Sequence, residues 1–250
     1  MVHFVGAGSG AVDLITVRGQ RLIQEADVII YAGSLVNKEL LEYKKEDCNV
    51  YNSAAMTLEQ VIEVMKEAEA LNQITVRLHT GDPSIYGAIR EQMDILDNLH
   101  IAYDYCPGVS SFCGAASALN LEYTLPDVSQ TVILTRMAGR TGVPEKESIE
   151  SLAKHQATMV IFLSTGMLEE LSKRLVAGGY KEDTPAAIVY KATWPEEKKF
   201  VCTVKTLAKT AKENQITKTA LIIVGDVIHT EYRRSDLYNP NFETEFRKVK

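Results

Sequence analysis

The sequence predicts an α/β protein in two domains, and three of its features carry that expectation. Short apolar runs alternate with amphipathic stretches, the pattern of strands and helices that build a parallel sheet. Three of the runs end in glycine loops: Gly6-Ala7-Gly8-Ser9-Gly10-Ala11, Thr80-Gly81-Asp82-Pro83 and Pro107-Gly108-Val109-Ser110-Ser111. The segment Leu121–Asp127 follows neither a helical nor a strand period, so a boundary is placed there. The expected division is an N-terminal domain over 1–120, a C-terminal α/β domain over 121–235 and a peripheral tail over 236–250.

The elements follow in order. Val2–Val5 reads as a buried strand, then Leu14–Glu25 as a helix with Leu14, Val17, Leu22 and Ile23 on its core face. Ala26–Tyr31 is a second strand, its Val28, Ile29 and Ile30 marking burial on both faces. Thr57-Leu58-Glu59-Gln60 has the form of a capping box and opens a helix to about Leu71. Ile74–Leu78 is the third strand. The Gly-Asp-Pro loop follows, then a helix to about Leu96, then a strand at Tyr103–Cys106. In the second half, strands are expected at Thr131–Leu134, Thr158–Leu163, Ala186–Tyr190 and Ala220–Val224, with helices from about Glu147, Met167 and Thr206. Phe200–Val204 is an added strand, antiparallel to the rest.

Composition narrows the function. The 250 residues are 46% hydrophobic and 24% charged, enough to bury a core without disulfides or metal staples. A formal net charge of −6 argues against nucleic-acid binding, though 27 Lys and Arg residues can still form a local patch for an acidic small molecule. Cys48, Cys106, Cys113 and Cys202 have no metal-ligand spacing and read as free buried thiols of a reducing cytoplasm. The five histidines also lack ligand spacing, so no protein-held metal is expected. No signal peptide and no membrane span are expected, because no apolar stretch approaches the ~20 residues that cross a bilayer.

Loops at strand ends gather on one edge of a parallel sheet, where ligands bind. Gly6, Gly8 and Ala11 match a dinucleotide fingerprint, but the second strand ends Tyr31-Ala32-Gly33-Ser34 without the carboxylate that holds a ribose. Asp27 lies at that strand's other end. A tight strand-to-helix turn explains the glycines equally well. In the third-strand loop, Gly81 supplies backbone freedom and Pro83 stiffness, while Asp82 has two readings. One is an Asp-Pro turn with a local bond; the other is a ligand for ribose hydroxyls or an ammonium group.

These loops resemble those of the tetrapyrrole methylase family, through Gly6–Gly10, His79–Gly87 and Pro107–Ser111. The likeness continues through Thr131–Arg136, Tyr190–Glu197 and Ala220–Val227. Within the family, Tyr190–Pro195 and Thr135–Thr141 resemble the subfamily that methylates cobalt-precorrin-4 at C-11. The resemblance implies two α/β domains with the ligand cleft between them, a homodimer, and S-adenosylmethionine as methyl donor, with S-adenosylhomocysteine as product. It also implies a tetrapyrrole substrate whose cobalt, if present, belongs to the ring. Alternatives are precorrin-4 of the aerobic route or another ring position. A nicotinamide enzyme, a non-catalytic tetrapyrrole binder and an RNA methylase of the same fold are rival readings.

By motif match the resemblance assigns donor binding to Thr80, Gly81, Asp82, Ile85, Ser110, Ser111, Met167, Ala192, Ala220 and Leu221. The first loop faces the ring in the family, which implies substrate contacts at Ser9 and Gly10. Here it departs from the usual Gly-Pro-Gly-Asp-Pro. Ala11 stands where the acid would be, Asp13 is two residues on, and the loss of two prolines predicts a more mobile loop. Arg136, Arg140 and Lys191 are candidate grips for ring carboxylates, with Arg90 a further one. Trp194 is expected to pack. An electron-rich ring carbon needs no protein nucleophile, so positioning dominates catalysis. Asp82, His79 and Tyr86 are the candidate bases, with a structural histidine and a packing tyrosine as the plainer readings of the last two.

Overall fold

The first five strands form where apolar and β-branched residues cluster, and all run parallel. In this computed structural model, which describes residues 1–33, 35–229 and 231–248, they are β1 (Val2–Gly6), β2 (Val28–Tyr31), β3 (Asn49–Asn52), β4 (Thr75–His79) and β5 (Tyr103–Cys106). Ser34, Thr230 and the last two tail residues, Val249 and Lys250, lie outside the described residues. The sheet order is β3-β2-β4-β1-β5. Helix α1 (Val17–Glu25) packs Leu22 and Ile23 on the face bearing Val5, Ile29 and Leu78. Helices α2 (Leu58–Ala70) and α3 (Arg90–Asn98) bury Val61, Ile62, Met65 and Leu96 on the face bearing Val2, Phe4 and Ile30.

Three departures have local causes. Thr16 caps α1 by accepting from Gly19 N, so Leu14 stays outside the helix. Val17 then takes the first helical position and is 86% exposed rather than on the core face. Tyr86 and Ala88, both at positive φ, delay α3 until Arg90. Strand β3 has only Val50 and Tyr51 between two asparagines, and all four residues are exposed at the sheet edge, where the backbone pairs with β2 alone. Asp27 explains itself structurally: it pairs with Lys45 at 2.5 Å and accepts Ile74 N at 2.7 Å, and these two contacts hold its carboxyl low.

Helix α4 (Ser111–Leu119) follows β5. The second sheet comprises β6 (Val132–Arg136), β7 (Thr158–Phe162), β8 (Pro185–Tyr190), β9 (Lys198–Thr203) and β10 (Ala220–Val224), in the order β6-β7-β10-β8-β9. It is mixed, where strand–helix alternation predicts a parallel sheet. β6 and β7 are parallel and β9 is antiparallel to β8, as expected for the added strand, but β10 runs antiparallel to both β7 and β8. The short return from β8 to β9 reverses the chain, and the crossover through Leu207–Glu213 carries that reversed direction into β10. Helices α5 (Ile149–Ala153), α6 (Leu168–Ala177) and α7 (Leu207–Glu213) share one core with Met159, Ile161, Ile188, Ile222 and Val224.

The chain forms two compact units. One comprises Met1–Ala115 with Lys191–Glu197; the other comprises Ala116–Tyr190 with Lys198–Lys250. Cys48 and Cys106 are buried thiols, but Cys113 is exposed and Cys202 half-buried. Cys113 lies across α4 from the buried Ala115 and Ala118. No helix among the described residues is long and apolar enough to cross a membrane.

Candidate active site

In the first unit, the carboxyl ends of β1 and β4 are neighbours, so their loops meet. Ala7 N donates to His79 O at 2.7 Å, and Gly8 and Gly81 exchange backbone hydrogen bonds of 3.3 and 2.9 Å. Gly81 sits at φ +62°, the freedom that its position demands. Asp82 then ties this loop to the next. Its Oδ1 accepts from Ser84 N at 2.9 Å, from Ser84 Oγ at 2.5 Å and from the Tyr105 hydroxyl. Its Oδ2 accepts from Gly108 N at 2.9 Å. Burial raises the carboxyl pKa, yet the donors from Ser84, Tyr105 and Gly108 outweigh it and hold the group below its ordinary value. Both readings of the Asp-Pro turn begin from this tie. A carboxylate so fully hydrogen-bonded is a poor proton acceptor.

His79 is 4% exposed and stacks on Phe4 with ring centroids 6.2 Å apart. Burial first, and the charge of Arg77 second, push its pKa down to about 3, so the ring is neutral near pH 7. Arg77 is itself buried, donating Nε to Gln92 Oε1 at 3.1 Å and Nη1 to Ile30 O at 3.2 Å. His79 Nε2 and Thr80 Oγ1 are buried without a hydrogen-bond partner among the described residues. Tyr86, by contrast, is 46% exposed. Ile85 N closes the turn on Asp82 O at 3.2 Å, Ser110 is buried, and Ser111 opens α4.

Hydrogen bonds from distant residues engage the first loop. Segment Lys191–Glu197, part of the same unit, closes over it. Thr193 Oγ1 accepts from Ala11 N at 3.1 Å and lies 3.0 Å from Ser9 Oγ. Asn37 donates Nδ2 to Gly10 O at 3.0 Å. Glu197 accepts from Thr193 N at 2.6 Å. Lys191 Nζ lies 3.2 Å from Glu196 and 5.1 Å from the Trp194 ring centroid, a cation–π contact. Trp194 packs on Gly10. Asp13 is exposed in a 3-10 turn over Val12–Leu14.

In the second unit the register gathers a comparable edge. Arg136 ends β6, Tyr190 ends β8, and Ala220 opens β10 opposite Tyr190. Ala220 and Leu221 are buried, and Thr165 Oγ1 donates to Ala220 O at 3.1 Å. Met167 lies beside Gly139, in the loop after β6 that also presents the exposed Arg140. Arg136 spends its guanidinium inward on that loop: Nη1 donates to Met137 O and Thr141 O at 3.1 and 3.2 Å, Nη2 to Gly142 O at 2.7 Å. It is thus engaged as a loop staple. Arg90 is paired with Asp94 on the surface of α3.

Sequence reasoning passed over Asn37, Tyr105, Thr193 and Glu197. The one local signal was Asn37 before Lys38-Glu39, a capping pattern; its Oδ1 accepts from Glu39 N at 3.0 Å. No group of three or more His, Cys, Asp and Glu side chains that could hold a metal ion occurs among the described residues.

The loop architecture has known counterparts. Residues 1–208 match the family of tetrapyrrole (corrin/porphyrin) methylases. The chain belongs to this family. Among methylases of the family, cobalt-precorrin-4 C(11)-methyltransferase of Methanocaldococcus jannaschii is 54% identical, the match covering 99% of this chain and 96% of the relative. Precorrin-4 C(11)-methyltransferase of Mycobacterium tuberculosis is 42% identical, covering 95% and 96%. The X-ray structure of a cobalt precorrin-4 methyltransferase superposes with a TM-score of 0.90 at 44% identity, over 92% of this chain and 96% of that one. This methylase therefore shares its α/β fold and its two-sheet plan with an enzyme of known structure.

Proposed function

We propose that this methylase transfers a methyl group from S-adenosylmethionine to C-11 of cobalt-precorrin-4, giving cobalt-precorrin-5A in anaerobic cobalamin biosynthesis. The observation that carries the reading is the near-full-length likeness to the enzyme named for that step. The donor's site is read from the loops. Thr80 presents a buried hydroxyl with no partner among the described residues, as a site for a polar ligand would. When bound, S-adenosylmethionine supplies an intrinsically electrophilic sulfonium methyl. Thr80, Gly81, Asp82, Ile85, Ser110, Ser111 and Ala192 are the donor-binding residues of the first unit, and Met167, Ala220 and Leu221 are those that the family likeness assigns in the second. Asp82 acts by fixing the loops, and His79 supports them as a neutral ring. In the first unit Ser9 and Gly10 support the ring substrate and Lys191 is a grip for a carboxylate; in the second, Arg140 is a candidate grip on a loop shaped by Arg136. The chain's contribution to rate is orientation, which can supply about 7–11 kcal/mol in favourable cases.

The cobalt is the substrate's own, and the enzyme works as a cytoplasmic homodimer. A second reading, methylation of metal-free precorrin-4, is favoured by the likeness to the mycobacterial relative. Mass spectrometry of products from precorrin-4 with and without cobalt separates the two. Addition of one methyl at C-11 to the cobalt form, at the higher kcat/KM, is expected; methylation of neither ring would overturn both readings.

A further inference from the structure

Thr193 sits at φ +67°, a left-handed conformation that a β-branched residue adopts only under constraint. Such strain persists where the surroundings over-determine it, and here they do. The Thr193 hydroxyl has one donor and two acceptor sites, and two of these are matched by Ala11 N and Ser9 Oγ. Its own N–H is held by Glu197. The next residue, Trp194, lies so close to Gly10 that a Cβ there would come within 2.1 Å of Trp194 Cδ1. Gly10 therefore cannot be replaced without displacing the indole, and Asn37 holds the Gly10 carbonyl.

We propose that Thr193 is a positioning residue that sets the conformation of the first glycine loop, and through it the placement of the ring for methyl transfer. The part that concerns the ring rests on the function proposed above. The hydroxyl does for this loop, by tertiary contact, what covalent stiffness of proline would do locally. It touches no reacting atom, so it governs kcat with the ring substrate and leaves donor affinity alone.

The test compares Thr193→Val, which keeps the branch and removes the hydroxyl, with Thr193→Ser, which keeps the hydroxyl and relaxes the branch. Three quantities are read on the full chain: amide hydrogen exchange over residues 6–12, kcat for cobalt-precorrin-4, and calorimetric affinity for S-adenosylhomocysteine. For Thr193→Val, Ala11 exchanges faster and kcat falls on the order of 10- to 100-fold, as small misplacements do. Affinity for S-adenosylhomocysteine is unchanged, and Thr193→Ser restores both other readouts. Unchanged exchange at Ala11 in Thr193→Val overturns the proposal, as does a Thr193→Ser variant no better than Thr193→Val. If the unmodified enzyme methylates no ring, the functional reading fails while the exchange arm still decides whether Thr193 locks the loop.

Discussion

His79 is neutral because its surroundings exclude water and place Arg77 nearby. Its pKa in the folded state, about 3, lies below the ordinary 6.5. Between those values the unfolded chain binds a proton that the folded chain does not, so this residue's contribution is intact above pH 6.5 and lost as pH falls toward 3. The slope approaches ~1.4 kcal/mol per pH unit inside that window. Replacing His79 with Phe removes this sensitivity. Urea midpoints measured from pH 7 to pH 4 should fall less steeply in His79→Phe than in the parent; parallel slopes would refute the argument. Asp82 gives a second test of role. As a tie between loops, its replacement by Asn should weaken S-adenosylhomocysteine binding about tenfold, ~1.4 kcal/mol, and alter kcat little. A loss in kcat of about 1,000-fold or more at unchanged affinity would instead mark a general base.

At the scale of elements, burial separates residues that look alike in sequence. Val17 and Ile23 both belong to an apolar helical pattern, but Val17 projects from the first turn of α1 and Ile23 is fully buried. Val17→Lys should shift stability by no more than about 0.5 kcal/mol, while Ile23→Ala should cost about 2–5 kcal/mol. Equal urea midpoints for the two variants would contradict the placement of α1. The strands and the capping box of α2 were legible because period, burial and capping chemistry agree in those segments. Strand β3 was not, since its two strand formers, Val50 and Tyr51, stand between Asn49 and Asn52 in too short a run to mark a strand, and pairing with β2 holds it at the edge. The start of α1 was misplaced because Leu14 and Val17 continue the apolar spacing past the residue, Thr16, that stops it.

Over the whole molecule, the glycine loops could be read from sequence because each follows a strand directly. What fixes them could not. The partners of the first loop lie at Asn37 and Thr193, far along the chain, and no periodicity links them to Gly6–Ala11. The direction of β10 was equally hidden, because alternation alone does not show that the crossover through α7 starts from the reversed strand β9. The seven residues Lys191–Glu197 belong to the first unit although the chain on both sides belongs to the second. That arrangement bears on how the protein is made. During synthesis the last strand of the first sheet ends at Cys106, but the segment that holds its first loop is translated roughly ninety residues, or roughly 5–20 s, later. The ligand edge of the first unit is thus finished well after the sheet beneath it. Nascent chains halted before Lys191 has left the ribosome should be cut by protease within Ser9–Ala11, and chains released beyond Glu197 should resist; on the ribosome the methylase completes its first sheet before the clasp on its first loop.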